Sequence, residues 1–147
     1  MNFEEYEDAC IKIKNDNEKS LEIFRSELLE KGLSRKTIRS HLSNVDFYLN
    51  DFLLYSEPVP MKDGCGWCVN GFLGDFFIRK CMWSTPGTIK STAASLKKFY
   101  KCMADHGEVE QDDYRYLCEI IKDNMEDWLD DCRQFNDPSQ ESPFSFF

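Results

Sequence analysis

The chain has 147 residues and is 41% apolar and 14% aromatic, which suits one globular domain and excludes a disordered chain. Its formal charge of −9 argues against a uniformly basic nucleic-acid binder. No apolar run approaches the roughly 20 residues needed to span a bilayer, and the acidic start MNFEEYED lacks the layout of a signal peptide. A cytoplasmic protein without membrane contact is expected.

In chain order, Phe3, Tyr6, Cys10 and Ile13 mark a short amphipathic helix ending near residues 15–17. Asn17 is placed to cap a second helix, with Leu21, Phe24 and Leu28 inside and Gly32 as its stop. Ser34 caps a long helix to about Tyr55, with core stripe Ile38, Leu42, Val45, Leu49 and Phe52. Arg35, Arg39 and Ser43 then fall on the opposite side. Pro58 and Pro60 close this helix, and a glycine-rich loop follows to Cys68. The apolar run from Val69 to Met82 reads as helix despite Gly71 and Gly74, since no other segment offers a strand to pair with.

Ser84 is expected to cap the next helix, with Pro86 in its first turn and Gly107 at its end. Ile89, Ala93, Leu96, Tyr100 and Met103 form the inner stripe, and Lys90, Lys97 and Lys101, flanked by Lys98, form the outer one. A last helix opens at Asp112 or a neighbour, with Tyr114, Leu117, Cys118, Ile121, Met125, Trp128, Leu129 and Cys132 in 3-4 spacing. The expected architecture is all-α, about six helices in one domain over residues 1–135. Residues 136–147 read as a flexible tail carrying Phe144, Phe146 and Phe147.

Charge is segregated along the chain. Residues 1–30 hold nine acids against four bases, residues 31–104 five against eleven, and residues 105–147 thirteen against three. From Phe76 to Ala104 there are six bases and no acid. The phrase Thr37-Ile38-Arg39-Ser40 returns as Thr88-Ile89-Lys90-Ser91, each time opening an amphipathic run that ends in aromatics. A basic helix about 20 residues long fits a DNA major groove, with Ser91 and Ser95 spaced to add hydrogen bonds and Arg35, Lys36, Arg39, Ser40 and Ser43 forming a similar surface. Lysine-rich faces of this kind bind phosphates and discriminate sequence modestly. The competing account is a solvated surface that pairs with the acidic terminal helix.

Seven cysteines without an export signal read as free thiols. Cys65-Gly66-Trp67-Cys68 has spacing that supplies two thiolates to zinc, with Cys81 and His41 or His106 as further ligands, or that forms a redox dithiol. Zinc sites normally show two paired ligand sets and redox dithiols normally follow a strand, so two loop thiols without a special role is the better account. No cofactor is expected. His106 is explained as a cation at a helix C-terminus. The sequence has no phosphate loop, no Gly-x-Ser-x-Gly and no His-Glu-x-x-His, and no enzymatic activity is expected.

Residues 24–42, FRSELLEKGLSRKTIRSHL, continuing to Phe47 and Phe52, resemble the first half of the SAM-like core-binding domain of tyrosine recombinases (phage integrases). Thr88-Ile89-Lys90-Ser91, Leu96, Phe99-Tyr100 and Gly107-Glu108-Val109 resemble a later helix of that domain. The resemblance implies a helical domain that clasps duplex DNA, with Arg35, Lys36, Arg39, Lys90, Lys97 and Lys101 as contacts. The family's catalytic arginines, His-x-x-Arg and tyrosine nucleophile have no counterpart here, and Glu110-Gln111-Asp112-Asp113 stands in place of its Asn-Pro linker. What it implies for this chain is therefore DNA binding without strand cleavage, in an accessory or regulatory role in recombination or integration. The second reading is a protein-interaction module that uses the acidic helix 112–132 or the tail 144–147.

Overall fold

The computed structural model describes residues 1–138. All regular structure among them is helical, in five helices and one short 3-10 segment. Helix α1 spans Phe3–Glu30, and α2 spans Arg35–Asp46 and continues as a π-helical turn, Phe47–Phe52. Met61–Cys65 is the 3-10 segment. Helix α3 is assembled from Cys68–Gly71, a π turn Phe72–Phe76, and Phe77–Lys80. Helices α4 (Pro86–Asp105) and α5 (Gln111–Asn136) complete the fold. None of these helices is long and apolar enough to cross a membrane.

Five helices replace the expected six because no break occurs near Asn17. That residue is buried inside α1 and its amide donates to Asn50 Oδ1 of α2 at 2.8 Å, so it ties two helices together and caps neither. Helix α2 stops at Phe52 and does not reach Tyr55. The cap of α4 is Thr85, one residue later than expected. Ser84 is buried and its hydroxyl donates to the Ile78 carbonyl at 3.3 Å. Helix α5 extends through Asn136, whose amide donates to the Ser84 carbonyl at 2.8 Å, so the domain reaches past residue 135. The expected exposure of Phe144, Phe146 and Phe147 lies outside the described residues.

The repeated Thr-Ile phrase has a local cause. In α2, Ser34 Oγ accepts from the Thr37 N–H at 3.2 Å, and in α4, Thr85 Oγ1 accepts from the Thr88 N–H at 3.1 Å. Thr88 returns the bond to the Thr85 N–H at 2.8 Å, closing a capping box. Each isoleucine then falls at the first core position and each following base faces solvent. The two stops also match. Gly32 and Gly107 both have φ of 76°, and the next residues, Leu33 and Glu108, donate to the Leu28 and Met103 carbonyls at 3.3 and 2.8 Å. These are Schellman closures, which need a left-handed residue.

Helix α4 is the axis of the molecule. Ten of its residues are buried, and it packs against α1, α2 and α5. Beneath it, two fully buried tyrosines pin the 3-10 segment: Tyr48 donates to the Gly64 carbonyl at 2.6 Å and Tyr100 to the Met61 carbonyl at 2.8 Å. Helix α5 closes the other side, with Trp128 Nε1 donating to Asn70 Oδ1 of α3 at 2.8 Å. A Cβ on Gly74 would stand 2.7 Å from that indole nitrogen. The glycine that weakens α3 as a helix is thus what lets the Trp128 ring close over it.

Candidate nucleic-acid interface

Helices α2 and α4 meet along a polar seam. Ser95 is fully buried, and its hydroxyl donates to the Ser91 carbonyl at 3.1 Å. The same oxygen accepts from Asn44 Nδ2 of α2 at 3.0 Å and lies 2.8 Å from His41 Nδ1. The His41 ring tilts against Phe24 of α1 at 6.4 Å. Phe24 in turn meets Phe99 of α4 edge-on at 5.4 Å. One buried hydroxyl and one phenyl ring therefore fix the two basic helices relative to each other. Ser95, expected as a surface hydrogen-bond donor, is instead part of this seam.

Burial, and then the charge of Lys98, hold the His41 imidazole below its ordinary pKa. A base whose folded pKa is depressed leaves stability intact above its unfolded value of about 6.5 and withdraws it as pH falls toward the folded value, because the unfolded chain takes the proton first. Between about pH 8 and about pH 5.5 the thermal midpoint of the wild type is expected to fall more than that of His41→Gln, whose amide can still donate to Ser95. Parallel melting curves for the two proteins check this.

The predicted contact residues Arg35, Lys36, Arg39, Ser43, Lys90, Ser91, Lys97 and Lys101 are all exposed. Arg35, Arg39 and Ser43 line the groove between α1 and α2, which Lys14 and Arg25 border together with the acids Glu18, Glu22 and Asp46. By helical register Lys36 shares the outer side of α2 with Ser43, and Lys98 on α4 approaches His41 closely enough to influence it. Lys90 and Lys97 continue the exposed ridge of α4. Lys101 is partly engaged, pairing with Asp105 at 3.5 Å and lying 5.9 Å from the centre of the Tyr114 ring. Lys98 is the strongest addition to the set. Its spacing from Ser91 and Ser95 places it beside the seam once Ser95 is known to face α2.

Every ion pair among the described residues is local. Six pairs join residues three or four apart, and none links the acidic α5 to α2 or α4. Arg35, Lys36, Arg39, Lys90, Lys97 and Lys98 take part in none of them. Helix α2 also opens with Arg35 and Lys36 in its first turn and no acid there, so two cations stand at the positive end of the helix dipole. An anion brought to this end would relieve that repulsion. The competing account, in which the basic face pairs with the acidic helix, has no ion pair behind it among the described residues, where Lys101 meets only the Tyr114 ring of that helix.

The thiol candidates are dispersed. Cys65 is buried, and burial first, then Asp113 and Asp63, push its thiol up to about 12. Cys68 points to the Asp63 carbonyl at 3.9 Å, and burial also raises the buried Cys81. Of the two histidines, His41 lies against Ser95 at 2.8 Å, and His106 lies beside Cys102, bonding to its carbonyl at 2.8 Å. Cys65, Cys68 and Cys81 form no three-ligand cluster with them among the described residues.

Comparison with family models, with curated proteins and with solved structures finds no match.

Proposed function

We propose that this chain is a non-catalytic helical module that binds duplex DNA across α2 and α4, resembling the core-binding domain of tyrosine recombinases and acting in the cytoplasm as an accessory to recombination or integration. The observation that carries the reading is the set of six exposed cations, Arg35, Lys36, Arg39, Lys90, Lys97 and Lys98, on two adjacent helices with no ion pair among the described residues. Unpaired surface cations carried on two neighbouring helices attract a polyanion even when the net charge is negative, because association follows the local field. The rigid seam at Ser95 supports the same reading, since phosphates along a duplex demand a fixed spacing of the groups that meet them.

A labelled duplex of random sequence, titrated at about 50 and about 200 mM salt, tests it. Six phosphate contacts give a log–log slope of about −5 and a loss of about 10³-fold over that range. Absence of binding at the lower salt would overturn the proposal.

The second reading is a protein-interaction module. It is favoured by the exposed acids of α5, where Asp113, Glu119, Asp123, Glu126, Asp127 and Asp131 make no ion pair among the described residues. A protein complex disrupted by charge reversal at these positions, in a chain with no affinity for DNA, would establish it instead.

A further inference from the structure

Among the described residues one three-ligand cluster stands out, and it lies away from the basic face. The carboxylate of Glu27, the thiol of Cys102 and the imidazole of His106 each offer a ligand atom, and these atoms lie within 4.8 Å of one another. Glu27 comes from the last turn of α1 and Cys102 from the last turn of α4, with His106 as the α4 cap. Neither helix could assemble this set alone. We propose that Glu27, Cys102 and His106 form a binding site for a transition-metal dication of the zinc type, clamping the end of α1 to the end of α4.

Three arguments support the assignment. The first is the donor set. One thiolate, one imidazole and one carboxylate suit zinc, and three protein ligands leave a fourth position for water. The second is distance. Zinc–sulfur and zinc–nitrogen bonds of about 2.3 and about 2.0 Å set a tetrahedral S···N edge of about 3.5 Å, and Cys102 Sγ stands 3.7 Å from His106 Nδ1. The cluster therefore has nearly the spacing of one edge of the polyhedron before any metal enters. The third is access and support. Glu27 and His106 border an open groove lined by Lys19, Glu22, Ile23, Ser26 and Glu30, while Cys102 is fully buried, and the Glu27 Oε2 atom is held by Lys31 at 3.7 Å.

The local hydrogen bonds accommodate the exchange. His106 Nδ1 is bonded to the Cys102 carbonyl at 2.8 Å, but that carbonyl also accepts the His106 backbone N–H at 3.0 Å. It keeps a donor when Nδ1 turns to a metal and the ring proton moves to Nε2. The Cys102 thiol is pushed up to about 12 by burial first, then by its hydrogen bond to Glu27 and that carboxylate's charge; Lys31 opposes this and Asp105 adds to it. The metal must displace the thiol proton, which passes to solvent: S–H is lost, S–metal forms, and no electrons are transferred. One proton released per metal makes the apparent affinity rise about tenfold per pH unit. The inference stands independently of the DNA reading.

The test is a cobalt(II) titration of the reduced full chain, followed by zinc competition. Binding of one equivalent with a thiolate-to-cobalt charge-transfer band is expected, displaced by zinc and accompanied by a rise in thermal midpoint. Cys102→Ser should abolish the band, and Glu27→Gln and His106→Gln should each weaken binding about tenfold or more. The double variant Cys65→Ser with Cys68→Ser should leave it unchanged. Retention of the band in Cys102→Ser, its loss in the Cys65/Cys68 variant, or no uptake by the wild type at micromolar metal would each overturn the site. Should Cys102→Ser fail to fold, the exposed His106 decides, and unchanged affinity in His106→Gln refutes the assignment.

Discussion

Reversing Lys90, Lys97 and Lys98 together to glutamate is expected to lower duplex affinity by about 10² to 10³-fold at about 0.1 M salt. Each phosphate contact contributes counterion release that enters the affinity as salt to the power of about −0.9, so three lost contacts account for a factor of that size. The log–log salt slope should fall by roughly half, from about −5 to about −2.5. All three side chains are exposed and unpaired among the described residues, so the substitutions break no ion pair of the folded state. Lys101 is left out because reversing it would place a carboxylate beside Asp105. The control is an equal charge change elsewhere. Lys12, Lys19 and Lys62 line a different groove, between α1 and the 3-10 segment. Their joint reversal should change affinity by less than about tenfold. Equal losses in both triple variants would mean that total charge governs binding, and the α2–α4 face would lose its assignment.

The parts of this fold that were legible in sequence are those whose cause is local. Ser34 before Thr37, and Gly32 and Gly107 after amphipathic runs, decide helix starts and stops through bonds spanning six residues or fewer. The core stripes of α2, α4 and α5 follow directly from 3-4 spacing. What was not legible depends on distant partners. Asn17 looks like a cap until Asn50, 33 positions away, takes its amide. Ser84 and Thr85 are equally good caps by residue type, and the choice falls on Thr85 because Ser84 is drawn to Ile78.

The same distinction holds for the candidate interface. Exposure of the basic residues was readable from register, since Lys90 and Lys97 sit opposite Leu96 and Met103. Ser95 was not readable as buried, because its place is set by His41 and Asn44, more than fifty positions earlier. The Cys-Gly-Trp-Cys spacing drew attention to thiols that the fold separates from both histidines, while the cluster it does assemble joins Glu27 to Cys102 and His106 across 75 positions of chain or more. Helical periodicity says which side of a helix is wet. It does not say which two helices share a wall.

The largest single effect on stability is expected at Phe72. Its ring is fully buried at the π turn of α3 and meets five others: Phe47 at 5.9 Å, Tyr48 and Phe52 both at 5.0 Å, Phe76 at 6.2 Å and Phe77 at 5.6 Å. Three of those rings belong to the π turn of α2, whose wider winding brings Phe47, Tyr48 and Phe52 toward the same neighbour. Phe72→Ala removes the ring that both irregular turns close around, and the surrounding backbone cannot collapse without undoing them. A loss of about 3–5 kcal/mol follows for a fully buried phenylalanine, against a total of about 5–15 kcal/mol for a domain. The thermal midpoint should drop by about 10 °C or more. Phe72→Leu keeps most of the volume and should cost less than about 1.5 kcal/mol. Phe3→Ala, at a residue 73% exposed, should stay within about 0.5 kcal/mol. Denaturant melts of the three variants measure the order. If Phe72→Ala were no worse than Phe3→Ala, the aromatic cluster would not be what holds α2 against α3.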